Sequence, residues 1–566
     1  MNIDIVKVPF SYPGSYLAIQ KDESILGNGI WLRSLIRPEW GTGRKKVSDH
    51  ILRFIPTDSE GTFISYQTVC TPECLRFESN FGYVEIYFSH FSSLQIKTKN
   101  MGLVLEHDSD ESKWVNIEVG ADYARGYLPI TFYDIKLTLK EGFLKHRPEL
   151  RRFFITCEET SDFVISAWQR FVQKEPEGEL FEKEQIRQDF EKFKDCYQPV
   201  EAVHELATYI LWSGEYSKCG HLTRNATAIS KKLMNNVWSW DNCFNALALS
   251  KSNKSLARDN ILLFFDLQKE DGRLLDAVNP FIQVDWFTKP PIHGFFILKL
   301  MNDEEIFLLK DLQYLYPRLE KLANYWEKNK GNTGLYFYRH PFDSGWDNAT
   351  CFDRGMPAYT PDLNSYMVYL YFCLNKIALK LGFQKEAENF QNQAHQILKN
   401  MAKHMFNDGE FNCLDAEEKP YKTTSLIKMV PIMLGKLLPT AIFEALASEI
   451  SKENHFLLES SLATECVTSE YYDHRKGDAI KPNAYWRGPV WAPPVFCIYD
   501  GLVNAGYFKL AEKIATRYVN LIEIDKSGIY ENYDAIQRIG YDDSAYMWTV
   551  SVYLIFKDRL KTRVKS

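Results

Sequence analysis

The hydrophobic and polar positions of this chain follow two different periods. From about residue 10 to 170 the period is two: YVEIYFSH (83–90), LQIKTK (94–99), WVNIEVG (114–120), DIKLTLKEG (134–142) and FFITCEE (153–159) alternate apolar and polar side chains. Successive side chains of a strand point to opposite faces, so this alternation, broken by Gly, Asn and Asp, predicts short antiparallel strands joined by turns. Several such strands at short intervals predict a β-sandwich domain over residues 1–172. The stretch QKEPEGELFEKEQIRQDFEKFKD (173–195) is charged and helix-prone, and reads as a helical linker over 173–199.

After residue 200 the apolar positions recur at helical spacing, and about twelve helices are expected. Their centres fall near residues 208, 246, 262, 297, 316, 371, 393, 428, 444, 497, 515 and 550. Many follow one another as pairs across short turns, as in 363–381 with 383–404 and 490–505 with 507–523. No strand-like runs alternate with them, which counts against a (β/α)₈ barrel. No repeat of roughly 30–45 residues supports a straight solenoid. The expected fold class is mainly α, an (α/α)₆ toroid over 200–566 preceded by the antiparallel β-sandwich.

A chain of 566 residues exceeds what one ordinary core organises, in line with this division. The net charge of −7 comes without any basic block, so a nucleic acid or a membrane surface has no electrostatic support as a partner. The opening MNIDIVKVPFSYPGSYLAIQ lacks the apolar run of a secretory signal, and no stretch approaches the ~20 apolar residues that span a bilayer. The eleven cysteines are irregularly spaced, and Cys243, Cys373 and Cys497 sit in apolar helical runs. They read as reduced, buried thiols of a cytoplasmic protein. Cys70 and Cys74, the one close pair, lack the matching His of a zinc site. Neither a metal nor an organic cofactor is expected. Aromatic residues make up 14% of the chain, a surplus that serves either a large core or contact with sugar rings.

The chemistry-bearing motifs fall in the longer gaps between the expected helices. VWSWDNCF (237–244) opens the second and PPIHGFF (290–296) the fourth. SGWDNAT (344–350) lies between the fifth and sixth, KPNAYWRGPVW (481–491) enters the tenth, and YENYD (530–534) lies between the eleventh and twelfth. If helix directions alternate around a ring, the loops entering even-numbered helices share one rim. Asp347 and Glu531 then stand out, each set among indole, phenol and amide groups. Two carboxylates delivered from distant loops into an aromatic pocket are the equipment for hydrolysing a glycosidic bond.

Each motif also has a structural reading. Asp347 could cap the following helix, and YENYD could be a surface turn. Asp241, beside Trp238 and Trp240, could cap a helix or accept hydrogen bonds from sugar hydroxyls across a stacking face. YWRGPVW could be a packed helix start with Pro489 near its first turn. Alternatively, Arg487 between Trp486 and Trp491 offers a fixed fork of donors. His293 reads first as a hydrogen-bonded core histidine, with sugar contact as the alternative. Asp343, Asp353, Glu470, Asp473 and Asp543 read as solvated or structural, with Glu470 in reserve as a second catalytic carboxylate.

WSWDNCF, QKEDGRL (268–274), PPIHG, SGWDNAT, YWRGPVW and ENYD, taken in order over residues 200–560, resemble glycoside hydrolase family 63. That family includes processing α-glucosidase and the bacterial mannosylglycerate and glucosylglycerate hydrolases; the more distant trehalases and debranching α-1,6-glucosidases share its toroid. The resemblance implies Asp347 as general acid, from the S-G-x-D-N pattern, and Glu531 as general base, from the E-N-Y pattern. It implies inversion by a single displacement with water, for which the carboxyls stand ~6.5–9.5 Å apart. Burial against Trp346 would raise the Asp347 pKa in the direction an acid needs. The substrate-binding set expected on these motifs is Trp238, Trp240, Asp241, Gln268, Asp271, His293, Trp346, Asn348, Trp486, Arg487, Gly488, Trp491 and Tyr533.

The chain departs from the family in two places. Ala349, Thr350 and Cys351 replace the usual Ser-Pro-Arg, and Asp534 to Gln537 replace an Asn-Pro followed by Thr-Gly. Both departures lie where the leaving group would sit, so the reaction type carries over further than the substrate. The expectation is a cytoplasmic, inverting, exo-acting α-glycosidase, an α-glucosidase on a short oligosaccharide or glycoside. The alternatives are an α-mannosidase, a trehalase, a phosphorylase or a non-catalytic carbohydrate-binding protein.

Overall fold

The computed structural model describes residues 1–23, 28–36, 49–107, 114–129, 131–177, 180–303, 305–474 and 484–564. The period-two segments form strands. One antiparallel sheet joins β1 (Leu17–Asp22), β2 (Gly29–Ser34), β3 (His50–Thr57), β8 (Gly102–Glu106), β13 (Arg152–Thr156) and β12 (Phe143–Arg147), in that order. The other joins β4 (Gln67–Cys70), β5 (Leu75–Glu78), β6 (Tyr83–His90), β7 (Ser93–Lys99), β14 (Thr160–Gln169), β11 (Tyr133–Glu141), β10 (Tyr123–Leu128) and β9 (Val115–Val119). Register follows the apolar face: Ile96 of β7 lies between Ile86 and Phe163, and Leu94 between Phe88 and Ile165. A slip of one residue would turn these rows outward, which is why the alternation specifies the pairing.

The charged linker folds as helix α1 (Lys183–Tyr197), which buries Ile186 and Phe190. Phe190 packs edge-on against Tyr209 and Trp212 of α2 (Ala202–Ser213). The helices that follow are α3 (Ser239–Leu249), α4 (Lys254–Asp266), α5 (His293–Leu300), α6 (Leu309–Glu327), the short α7 (Pro341–Ser344), α8 (Pro361–Leu381) and α9 (Gln384–His404). The chain ends with α10 (Thr440–Ile450), α11 (Ala492–Ala505), α12 (Phe508–Ile522) and α13 (Met547–Val564). The expected eighth helix is a 3₁₀ segment, Leu426–Leu437, with Pro431 inside and Gly435 at φ 53°, ψ −125°. Proline removes a backbone donor and Gly435 leaves the helical region, so the α-helical ladder cannot run through.

These helices sort into two kinds. α3, α8 and α11 are buried on nearly every side, whereas α9 and α12 bury a single stripe, in α9 Ala387, Phe390, Ala394, Ile397, Leu398 and Met401. The first kind packs in sequence: α13 on α3, α3 on α5, α5 on α8, α8 on the 3₁₀ segment, that segment on α11, and α11 again on α13. Outer companions flank most of them: α2 on α13, α4 on α3, α6 and α9 on α8, α10 on the 3₁₀ segment and α12 on α11.

One expectation needs correcting. The protein is mixed helix and sheet rather than mainly helical, because the sheet region is extensive and the helix connections carry ladders of their own. Val237–Trp238 pairs with Ala277–Val278, which pairs with Gln283–Val284, and Asn532–Tyr533 pairs with Gly540–Tyr541. Hydrogen-bonded connections of this kind can hold a side chain in place, and the functional motifs ride on them. Among the described residues no helix is long and apolar enough to cross a membrane.

Candidate active site

Asp241 lies in the first turn of α3, whose start is fixed by Ser239 N–H donating to the Asp276 carbonyl at 3.0 Å. Asp347 follows α7, in a turn closed by Ala349 N–H to the Trp346 carbonyl at 2.7 Å. Ser344 Oγ accepts from Trp346 N–H at 3.0 Å and shapes the same turn. Gly345 is required here twice over: its φ is +74°, and a Cβ would stand 2.5 Å from Cζ2 of Trp240. The Asp347 loop is thereby pressed against the WSWDN segment.

Glu531 is held through its backbone. Its N–H donates to the Asp543 carbonyl at 2.8 Å, and its carbonyl accepts from Trp548 Nε1 and Thr549 Oγ1, each at 3.4 Å. The YWRGPVW segment connects the two carboxylate loops. Val490 and Tyr533 exchange backbone hydrogen bonds of 2.7 and 3.2 Å on the Glu531 side. On the Asp347 side, Asn348 Oδ1 accepts from Trp486 N–H at 2.9 Å, and the Asn348 carbonyl accepts from Arg487 Nε at 2.7 Å. Tyr485 completes the link, its phenol donating to Glu531 Oε1 at 3.3 Å.

The electrostatics show which groups meet. Burial pushes the Tyr485 phenol well above its usual pKa, and the charges of Glu531 and Asp347 add to that push. Tyr546 is raised likewise, by burial and then by Glu531 and Asp241. Asp241, Asp347 and Glu531, far apart in sequence, therefore share one electrostatic neighbourhood. Burial raises the Asp347 pKa against the opposing pull of Lys289, and Asp347 Oδ1 is buried without a hydrogen-bond partner. Asp241 is raised well above the carboxylate range by burial, with Asp276 and Asp347 adding to the shift, and both its oxygens are unpaired. Desolvation disfavours the charged form, so each of these carboxyls holds its proton more tightly than it would in water.

A buried cation balances this cluster. Lys289 Nζ donates to the Phe342 carbonyl at 2.7 Å and stands 3.6 Å from Asp276 Oδ1. Burial acts to lower its pKa, but Asp276, Asp347, Asp241 and Asp343 together raise it. Asp276 is pushed up to about 6, because burial outweighs the attraction of Lys289. The two directions agree: one cation among several acids stays charged, while the acids crowd one another.

The expected substrate-binding residues divide. Trp240, Trp346, Trp486 and Trp491 converge, but as a wall rather than the open stacking faces expected of them. Trp486 stacks on Trp491 at 4.1 Å and 10°, Trp346 lies 4.9 Å from Trp486, and Trp346, Trp486 and Trp491 are each only 1% exposed. Trp238 is buried at the start of α3. Arg487 spends its fork within the chain, on the Asn348 carbonyl and on Asp353 Oδ1 at 2.5 Å, which makes Asp353 structural. Gly488 is there for close packing, since a Cβ would stand 2.1 Å from the Asp473 carbonyl oxygen. Tyr533 accepts from Tyr530 N–H through its phenol at 3.0 Å and is a framework residue.

Three expected residues stand apart from the carboxylate cluster. Gln268 donates to the carbonyls of Gly272 and Arg318 at 2.8 and 2.9 Å, and lines a separate surface cavity of about 190 Å³ with Phe265 and Lys321. Asp271 is an exposed turn residue accepting from Arg273 N–H at 3.1 Å. His293 is buried in the core, packed edge-on against Phe265 with its pKa lowered to about 4 by burial, but neither ring nitrogen has the hydrogen-bond partner expected of it. The reserve acid Glu470 is exposed. Asp343 is structural: it caps α7 through His340 N–H and accepts from Thr288 N–H at 3.1 Å. Asp543 binds Ser230 Oγ and the Leu233, Met234 and Ala545 amides. The opening of the 481–491 motif, residues 481–483, lies outside the described residues.

Sequence reasoning missed Lys289, Asp276, Tyr485, Tyr546 and Trp548. Tyr485 sat within a motif already singled out, and Lys289 directly precedes PPIHG, so their positions were available. Their partners were not, since each acts on a residue brought near by folding. The departures from the family pattern also find internal uses. Thr350 Oγ1 donates to the buried Glu465 at 2.7 Å, and Asp534 closes its turn through the Ile536 and Gln537 amides and accepts from Tyr541.

Known proteins with these features are distant in sequence. A mannosylglycerate hydrolase of Rubrobacter radiotolerans is 22% identical over 61% of this chain and 93% of its own length. The crystal structure of a GH63 mannosylglycerate hydrolase from Thermus thermophilus, in complex with Tris and D-glycerate, has TM-score 0.53 and 18% identity over 62% of this chain and 99% of that one. A bacterial glucoamylase complexed with acarbose, 12% identical, has TM-score 0.60 over 98% of this chain and 93% of that one, so its fold spans the sheet region too. The model of the mannosylglycerate hydrolase MGH1-like glycoside hydrolase domain matches residues 234–549, more than half of the chain and every motif that builds the carboxylate cluster. The chain belongs to that family, within glycoside hydrolase family 63, and is a glycoside hydrolase.

Proposed function

We propose that the protein is an inverting, exo-acting α-glycosidase of α-glucosidase type, which removes the terminal sugar of a short α-linked oligosaccharide or glycoside. The observation that carries this reading is Tyr485, whose phenol hydrogen-bonds Glu531 and feels the charge of Asp347. In this reading Asp347 is the general acid. Its buried carboxyl, with no donor at Oδ1, keeps a proton for the leaving oxygen. Glu531, steadied by the Tyr485 phenol, is the general base that deprotonates a water on the opposite face of the sugar. The separation expected for this single displacement is ~6.5–9.5 Å, with room for the water. Asp241, with two unpaired buried oxygens, accepts from hydroxyls of the terminal sugar.

The helical region is proposed as a closed (α/α)₆ toroid, supported by the packing order that returns from α11 to α13. The division into residues 1–172, 173–199 and 200–566 belongs to the same proposal, as does a small carbohydrate as the partner. A cytoplasmic location is supported by eleven cysteines free of disulfides, nine of them buried. A second reading, hydrolysis of mannosylglycerate, is favoured by the activity for which the relatives are named. A panel of α-linked disaccharides and glycosylglycerates decides between the two, with NMR of the first-formed anomer. The expected result is release of the β-anomer from an α-glucosyl disaccharide. Release of the α-anomer would overturn the single displacement, and a strict requirement for mannosylglycerate would favour the second reading.

A further inference from the structure

The loop that carries Glu531 is held from the opposite end of the chain. Lys7 lies outside residues 234–549, the part that matches the family. Its ammonium donates to Asp525 Oδ2 at 2.8 Å and to Ser527 Oγ at 2.7 Å. Its carbonyl accepts from Ser544 Oγ at 2.8 Å. One residue thus grips two separate stretches of chain, 525–527 with its side chain and 544 with its backbone. Lys7 is itself anchored to the sheet region. The Ile5 carbonyl accepts from the N–H of Lys21, in β1, at 3.1 Å, and Phe10 and Ile19 exchange hydrogen bonds of 2.9 and 2.8 Å. Ile5, Val8 and Phe10 are buried on either side of it.

The two gripped stretches are the ones that fix Glu531. Ile529 N–H donates to the Ser544 carbonyl at 2.8 Å, Tyr546 N–H returns to the Ile529 carbonyl at 2.9 Å, and Glu531 N–H donates to the Asp543 carbonyl at 2.8 Å. Asp525 Oδ2 also accepts from the phenol of Tyr530, the residue before Glu531, at 2.8 Å. Tyr530 has little freedom: its N–H donates to the Tyr533 phenol at 3.0 Å, and a Cβ on Gly540 would stand 2.1 Å from its ring. A path of hydrogen bonds therefore runs from Lys7 through Asp525 to Tyr530 and so to the backbone of Glu531. Burial acts to raise the Asp525 pKa, but the bonds from Lys7, Ser527 and Tyr530 bring it down to about 2. Burial acts to lower that of Lys7, and Asp525 and Tyr530 raise it. With 31% and 29% of the two side chains exposed, the pair is partly withdrawn from screening by salt.

Resting on the reading of Glu531 as general base, we infer that Lys7 is a positioning residue for that base, and that the N-terminal region is through it a working part of the active site. A base must hold its water within a narrow geometry, and a misplacement of about 1 Å costs on the order of 10²-fold in rate. Lys7 acts through Asp525 and Tyr530, at a distance from the sugar itself. Its loss should therefore appear in kcat, on the base side of the reaction, and leave binding of the sugar largely as it was.

The test uses the full chain as Lys7→Met, which keeps the aliphatic stem, Lys7→Arg, Asp525→Asn and the double variant K7M/D525N. Arg152→Ala, which breaks an ion pair to Glu106 inside the sheet region, is the control. K7M is expected to lower kcat about five- to tenfold on an α-linked disaccharide and equally on an α-glycosyl fluoride, whose leaving group needs no proton, with KM changed by less than about twofold. D525N should show the same loss, K7R should recover most of it, and the double variant should lose no more than the worse single one, because both changes cut one path. R152A should keep the wild-type kcat. Wild-type kcat in K7M, a loss confined to the disaccharide, or an equal loss in R152A overturns the inference while leaving the hydrolase reading intact. Hydrogen exchange on the unliganded protein gives a readout independent of turnover. The amides of Ile529 and Glu531 should exchange about tenfold faster in K7M, with those of α8 unchanged. Unaltered exchange at Ile529 and Glu531 overturns the inference whatever role Glu531 proves to have.

Discussion

The loop that carries Asp347 and the loop that carries Glu531 bring buried carboxyls to the same wall of indoles but equip them differently. The first gives Asp347 no donor at Oδ1, presses a glycine turn against Trp240, and sets the charge of Lys289 nearby without a direct bond. The second gives Glu531 a phenol donor and ties its backbone to Asp543, Trp548 and Thr549. Desolvation without a donor favours the protonated form, whereas a donated hydrogen bond favours the charged one. The two carboxyls thus stand in different surroundings, and the proposed division into acid and base rests on that difference.

The comparison breaks most visibly when either carboxyl is removed. Asp347→Asn and Glu531→Gln should each lower kcat by about 10³-fold or more on natural glycosides, with sugar binding largely kept. A substrate whose leaving group needs no proton should restore rate to D347N and not to E531Q. Near-normal turnover in either variant, measured on a natural disaccharide, would refute the assignment.

The next effect is on stability. The Asp276 pKa is raised to about 6 in the folded state, so any stability it allows below pH ~4 is lost as pH rises through about 6. Asp276→Asn removes that penalty. Relative to wild type, the variant should gain up to about 3 kcal/mol between pH 4 and 7, followed by urea denaturation across that range. A difference that stays constant with pH would show that Asp276 does not titrate there.

Smaller effects refine the contrast. Tyr485→Phe removes the donor to Glu531 and should lower kcat about tenfold or somewhat more, with little change in folding. Lys289→Met removes the cation whose charge pulls the Asp347 pKa down. A general acid works while protonated, so the alkaline limb of the kcat profile should move to higher pH. A shift to lower pH would mean that Lys289 acts on another group.

Much of this was legible in the sequence. The strand at Tyr83–His90 coincides with an alternating run, and each expected helix appears near its expected centre, the eighth as a 3₁₀ segment. Periodicity reports which faces are buried, and that information is local. The joining of WSWDN, SGWDN, YWRGPVW and ENYD also follows the expected pattern, through the Gly345–Trp240 contact, the Asn348 bonds to Trp486 and Arg487, and the Val490–Tyr533 pair. What each side chain in a motif does was less legible. Arg487 and Gln268 look the same in sequence whether they bind a sugar or bind their own backbone, and folding gave both internal partners.

The sequence by itself determined the strands, the helices, the positions of the motif loops and the two acids that stand out among aromatic neighbours, because these follow from spacing along the chain. Only the tertiary structure decided that Lys289 and Asp276 join the cluster, that the indoles face one another, and that Asp347 Oδ1 lacks the kind of donor Glu531 receives. Desolvation and charge depend on distances through space, and the Asp347 carboxyl holds its proton more tightly only because neighbours distant in sequence close around it.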